Sequence, residues 1–425
     1  MKITTKFKLV FQISFSNLHL HQQPIKFLPS ISKMIKKLSL HLPSLHHKSN
    51  RIIMLPKTFQ FRSEKAQQEP STTNNQSRNY KTTTTSDTKS SSFSSSKPSS
   101  QHSKPSSSSS NNELSNYLKS IQCTHPIVDI GINLTNHQFK QIIPHVLQRS
   151  KQSNVTGLIL TGTSVKSSEL ALDLIEQYNS SSNGVVELYG TVGVHPHDAK
   201  SCNDSTIGQM MKLIERGGDR MVMIGECGLD YNRMFSPKQV QVDWFKEQLR
   251  LAMKLKMPIF CHERDAHDDF IKCIQEVCLE HPNQQLPPLV VHCFTGTELH
   301  VQKYVEMGFY IGFTGTICMK ERGATLRQIL SKNIIPYDRI MIETDGPFMM
   351  PPLPKHVQSH FQSGAGAATH NKRPMQRCEP CLLPLIVDTM VECGVKKGNH
   401  VMTRSELEAQ FTLNTERFVG RKLLK

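Results

Sequence analysis

Residues 223–232 read MIGECGLDYN. The apolar start, continued backwards by Met221 and Val222, has the length and continuity of a strand buried on both faces. Glu226 then breaks the run, between Gly225 and Cys227. A carboxylate taken out of water must be paired, hydrogen-bonded or bound to a metal. Alone, the stretch fits a solvated strand end or a structural ion pair as well as a functional group.

The same apolar pattern recurs along the chain. Runs of this kind occupy 127–133, 155–162, 186–195, 258–263, 289–296, 310–315 and 340–347. Amphipathic segments lie between them. In 240–256, Val242, Phe245, Leu249 and Ala252 fall at steps of three or four, the spacing of one helix face. Eight strands alternating with helices predict a (β/α)8 TIM-type barrel, with a doubly wound open sheet as the alternative. In a barrel the active site lies at the C-terminal ends of the strands.

Charge is unevenly placed. Residues 1–120 hold 18 Lys/Arg against 4 Asp/Glu, a net +14, while 121–425 hold 33 against 31, a net +2. The basic character therefore belongs to the N-terminal segment. From about 70 to 115 the chain is rich in Ser, Thr and Asn, a composition that cannot bury enough apolar surface to fold. We read 1–120 as a basic, disordered extension whose composition also suits a transit peptide, and 121–425 as the catalytic barrel. Met34 and Met54 are alternative starts. No stretch is long and apolar enough for a transmembrane helix. The eleven cysteines, odd in number and scattered, argue for reduced thiols in the cytoplasm or mitochondrion rather than a secreted protein. Cys378 and Cys381 have CxxC spacing but no second pair to complete a zinc knuckle. The sequence shows no feature calling for a membrane or a protein partner.

Polar residues of metal-binding type close most of the predicted strands. Asn133 and Thr135 follow the first, His195 and His197 the third, and Glu226 the fourth. His262, His292 and Asp345 end the fifth, sixth and eighth. Each could be an ordinary strand-end residue. Converging on one barrel mouth, two imidazoles and two carboxylates make a mixed nitrogen and oxygen site suited to Zn²⁺, Mn²⁺ or Mg²⁺. Glu226 is most simply read as a metal ligand.

The stretches DIGINLTNHQF, GVHPHDAK, IGECGLDYNRMFSP, FCHERDAHDDF, VVHCFTGT, YIGFTG and IETDGPFMMP resemble the TatD family of metal-dependent hydrolases, in the family's order and over about 125–420. The resemblance implies a deoxyribonuclease that uses one or two divalent ions, with DNA as its substrate and end-directed cleavage as one mode. It implies Glu226, His262 and His292 as ligands and Asp345 as ligand or base. It sets His195 and His197 facing the substrate phosphate, with His195 also serving catalysis. Arg264 and Arg322 are candidates for holding phosphate oxygens, against a plain reading as surface ion pairs. Asp230 is expected to support the site from behind. Many barrels of the wider class carry His-x-His after the first strand. Here Asn133-Leu134-Thr135 stands there, so a second ion would be weakly held. Gly346 occupies a position that is commonly Ala.

Two rival functions remain open at the level of sequence. An amide or ester hydrolase of the same barrel class, acting for example on aminoacyl-tRNA, would use the same ligands. A non-catalytic nucleic-acid-binding protein tethered by the basic extension would have no need of them.

Overall fold

The computed structural model describes residues 107–180, 186–362 and 376–424. Residues 1–106, with the transit segment, the alternative starts and the expected disordered tract up to 106, lie outside the described residues, while the end of that tract, from Ser107, is helical.

Eight parallel strands run in the order in which they occur in the chain. They are β1 (Ile127–Ile132), β2 (Val155–Leu160), β3 (Glu187–Val192), β4 (Met221–Asp230), β5 (Ile259–Arg264), β6 (Leu289–Val291), β7 (Tyr310–Phe313) and β8 (Ile340–Ile342). β8 returns to β1. The Asp345 N–H donates to the Gly131 carbonyl at 2.9 Å, and the Asn133 N–H to the Gly346 carbonyl at 2.8 Å. An open doubly wound sheet would leave these edges apart. Closure gives the expected barrel.

Helices cover the outside. In order they are α2 (Ile143–Gln152), α3 (Val165–Asn179), α4 (Thr206–Gly217), α5 (Lys238–Leu255), α6 (His267–Glu280), α7 (Glu298–Glu306) and α8 (Ala324–Ser331). α9 (Leu383–Glu392) and α10 (Arg404–Val419) follow β8, and α1 (Ser107–Ile121) precedes β1. Capping boxes start two of them, Ser164 with Ser167 at α3 and Thr403 with Glu406 at α10. Each satisfies backbone N–H groups that a helix start otherwise leaves bare. Gly420, in the left-handed conformation, stops α10.

Side chains fill the barrel interior. Val128, Ile130, Ile159, Val222, Met223, Phe260, Val290 and Met341 form one buried cluster with Phe418, Val419 and Leu423 from the chain's end. Phe418 packs edge-on against Tyr310, the first residue of β7, with ring centroids 5.1 Å apart. The C-terminal helix therefore plugs the N-terminal end of the barrel and leaves the other end open for chemistry.

α1 corrects the expected domain boundary. Leu114, Leu118 and Ile121 pack with Val357, Phe361, Cys378, Cys381 and Leu382 in a third buried cluster. The folded part thus begins before residue 121, because three apolar residues spaced at four and three make one buried helix face. Cys378 and Cys381 belong to this packing. All eleven cysteines are free thiols. Leu118 is fully buried. Leu118→Ala should cost about 2–5 kcal/mol, the usual range for a buried leucine. Urea unfolding would measure it, and an unchanged midpoint would mean that α1 contributes nothing to the folded unit.

Candidate metal centre

The β4–β5 pairing answers the question raised by Glu226. Gly225 pairs with Phe260 and Cys227 with Cys261, so Glu226 is an extra residue with no partner across the ladder. Such a bulge bends the strand and re-aims a side chain. The flanking glycines make it possible. Gly225 and Gly228 have φ of 137° and 139°. A Cβ on either would lie 2.2 Å from the Phe260 carbonyl oxygen or 1.9 Å from that of His262. Only glycine fits such an approach. Glu226 is thereby turned into the barrel mouth, where it is 4 % exposed.

Three imidazoles meet one of its oxygens. Glu226 Oε1 lies 2.8 Å from His292 Nε2, 3.2 Å from His195 Nε2 and 3.2 Å from His262 Nδ1. Glu226 and His262 lie in the C-terminal halves of β4 and β5, and His195 and His292 follow β3 and β6, which is the mouth side of a barrel. Burial opposes charge on Glu226, but His292, His195 and His262 outweigh it and hold the carboxyl well below its ordinary range. The histidines divide. Burial pushes His195 down to about 4. Burial acts the same way on His292, yet Glu226 and Glu343 on either side raise it well above the usual imidazole value. His262 is also raised, since Asp230 and Glu226 overcome its burial.

One oxygen and two nitrogens, from Glu226, His195 and His262, lie within 4.8 Å of one another. A carboxylate with imidazoles is a donor set that suits a divalent cation. The structure regroups the expected residues here. His195, expected at the substrate phosphate, lies beside Glu226 and His262, and His292 approaches the same carboxylate oxygen.

The other expected residues occupy distinct places. His197 turns away from Glu226 and meets Asp230 Oδ2 at 2.8 Å. Asp230 is buried and also accepts the Asn232 and Arg233 N–H groups at 2.9 and 2.7 Å. It thereby anchors the loop after β4. Asp345 follows β8 and is half-buried. Burial pushes its carboxyl up to about 8, helped by Glu226 and Glu343 and opposed by His292. Asn133 is expected as a weak metal ligand. Its amide nitrogen instead donates to Asp345 Oδ1 at 2.9 Å, so it orients that carboxyl. Thr135 is half-buried nearby. Arg264 ends β5 half-buried, and Arg322 is exposed after β7. Neither takes part in an ion pair among the described residues, so the plain reading of both as surface ion pairs is not met.

Two buried carboxylates escaped the sequence reading. Glu343 accepts the Cys293 N–H at 2.5 Å and lies 3.4 Å from His292 Nδ1. His292 is therefore held between Glu343 and Glu226, which fixes its ring orientation. Asp129, on β1, accepts the Thr344 N–H at 2.9 Å and the Thr344 hydroxyl. Burial raises its carboxyl to about 7. The only signal for either was a carboxylate inside an apolar strand, the same signal that singled out Glu226.

Glu263, His267 and His300 form a second His/Glu group on the outer side of β5. The Tyr304 hydroxyl sits between Glu263 Oε2 and His267 Nδ1 at 2.8 and 2.9 Å. The His267 and His300 rings are stacked, 10° from parallel. Their in-plane lone pairs run side by side rather than converging on one ion.

Comparison with known proteins identifies the family. The family described as TatD related DNase matches residues 128–420. A "3'-5' ssDNA/RNA exonuclease TatD" from Dickeya dadantii is 40% identical over 259 residues, covering 61% of this chain and 87% of its own length. The protein of the same name from Erwinia tasmaniensis is 36% identical, covering 68% of this chain and 98% of its own. Among solved structures, a TatD family hydrolase from Entamoeba histolytica superposes with a TM-score of 0.56 at 25% identity, covering 70% of this chain and 99% of its own. With strand-end residues, barrel and family match in agreement over the same span, the chain belongs to the family of TatD-related DNases.

Proposed function

We propose that the protein is a divalent-metal-dependent nuclease that removes nucleotides from the 3′ ends of single-stranded DNA or RNA. The observation that carries this reading is the Glu226 carboxylate gathered with His195, His262 and His292 at the open end of the barrel. Glu226, His195 and His262 would hold a cation, with His292 and Asp345 completing the group. A divalent cation there supplies a Lewis acid and lowers the pKa of water from 15.7 toward about 7. Asp345 accepts the proton of the attacking water, and Asn133 keeps its Oδ1 in place. Glu343 keeps His292 aligned. His197 and Arg264, at the rim, orient phosphate oxygens. The names of the bacterial relatives supply the strand preference and polarity.

Purified protein given 5′- and 3′-labelled oligonucleotides with a panel of divalent metals tests this. A 3′ label should be released first, the 5′-labelled strand should shorten stepwise, and chelation should stop both. Hydrolysis of aminoacyl-tRNA or ester substrates with intact oligonucleotides would favour the rival reading instead.

Metal uptake should depend on pH in a defined direction. His292 and His262 are raised and Asp345 is pushed up to about 8, so near neutral pH each is protonated more than a free group would be, where a cation needs lone pairs. Binding therefore releases protons, and apparent affinity climbs as pH rises through these values. Calorimetry in buffers of different ionisation enthalpy counts the protons. An affinity that is flat from pH 6 to 9 would contradict the assignment.

A further inference from the structure

Few large apolar side chains are exposed among the described residues, and three of them sit on loops at the open end of the barrel. Met234 and Phe235 follow β4, and Phe348 follows β8. Phe235 is 58 % exposed and Phe348 47 %. In a ring of eight strands β4 and β8 stand opposite each other, so the two rings flank the Glu226 cluster from opposite sides.

Neither loop is loose. The Phe235 ring meets His197 edge to face, with centroids 4.8 Å apart and planes at 84°. Buried Asp230 pins His197 and the N–H groups of Asn232 and Arg233. The Ser236 hydroxyl donates to the His197 carbonyl at 2.8 Å, and the buried Gln241 amide to the Ser236 carbonyl at 2.8 Å. On the other side the Phe348 N–H donates to the Asp345 carbonyl at 3.0 Å, and the Cys378 N–H to the Pro347 carbonyl at 3.0 Å. Both aromatic rings are therefore presented to solvent by well-anchored backbone, beside the reacting groups. Holding an apolar ring in water costs free energy, so a fixed, exposed pair at a site mouth indicates a ligand with apolar faces.

We propose that Phe235 and Phe348 are stacking platforms for nucleobases of a single strand crossing the barrel mouth, a proposal that rests on the nuclease reading above. Every base has a π-face, so stacking holds the strand without regard to sequence. A duplex keeps its base faces covered by neighbouring pairs, and the platforms would then select single strands. Arg233, exposed beside Phe235, and Arg264 at the end of β5 supply positive charge for the backbone.

The test uses the full chain, Mn²⁺ and single-stranded thymidine oligomers, with kcat and KM measured separately. Phe235→Ala and Phe348→Ala should each raise KM about 5- to 150-fold, the range for losing one stacked base, with a much smaller change in kcat. Trp at either position should restore KM, and Leu, apolar but without a π-face, should not. An oligomer series with one abasic nucleotide should contain a position where the wild type shows the raised KM and the Ala variant adds no further loss. Full rescue by Leu, or an equal loss on every abasic oligomer, would overturn the stacking proposal. So would an unchanged KM in both Ala variants of an enzyme that digests DNA. A wild-type protein that hydrolyses no nucleic acid under any metal would overturn the nuclease reading first.

Discussion

Asp345→Asn should leave the barrel folded and slow hydrolysis by about 10²–10⁴-fold, the usual cost of losing a general base. Asn has nearly the same shape but cannot take a proton. The argument for the base role rests on position and environment. Asp345 stands at the end of β8, its Oδ1 is held by Asn133, and its carboxyl is raised to about 8. A group near 8 can exchange a proton close to neutral pH, as efficient general bases do. The expected signature is a large fall in kcat with an unchanged melting curve. Because the substitution removes an acid whose charged form its surroundings disfavour, the metal-free variant should be no less stable than the wild type. Near-normal turnover in a well-folded Asp345→Asn protein would remove this residue from the reaction.

Glu226→Ala should have the second-largest effect, on two measurements at once. Metal affinity should fall at least ~10-fold, since even partners outside the coordination shell are worth that much. Stability of the metal-free protein should fall as well. Glu226 is the common anionic neighbour of three imidazoles, and removing one member of a buried charged group leaves the others uncompensated, at about 3–5 kcal/mol. Glu226→Gln separates the two contributions. It keeps the shape and a hydrogen-bonding oxygen, so it should recover part of the stability but not the metal affinity. Calorimetric titration and thermal melting read the two effects independently. An unchanged ion stoichiometry and affinity in Glu226→Ala would move the metal site elsewhere.

The comparison of these two carboxylates also shows what sets their different chemistry. Burial disfavours the charged form of both Glu226 and Asp345. Three imidazoles face Glu226 and keep it charged, whereas two other carboxylates and one imidazole act on Asp345 and leave it near neutrality. A pair of carboxyls pushed in opposite directions is a usual arrangement for dividing binding from proton transfer.

Much of this protein is written locally in its sequence. Continuous apolar runs of strand length, alternating with amphipathic helices, determine a parallel sheet covered on both faces. Eight of them over one domain predict a barrel over a doubly wound open sheet, an alternative that only the return of β8 to β1 removes, and a barrel determines which strand ends carry chemistry. Counting strands therefore points to Glu226, His262, His292 and Asp345 as candidates for the mouth, whereas the bulge that Gly225 and Gly228 allow in β4 was not read from the sequence. Relations between distant residues were not legible. That His195 joins Glu226 while His197 turns to Asp230 depends on the β4 bulge and on a ring contact across two loops. That Asn133 orients Asp345 depends on β8 returning to β1. Glu343 and Asp129 acquire partners only when the barrel closes. The start of the folded unit at α1 depends on a cluster assembled from segments more than 230 residues apart. Periodicity records which face of an element avoids water. Which polar groups then meet inside is decided by packing, because a buried carboxylate takes whichever donor the closed fold brings within hydrogen-bond reach.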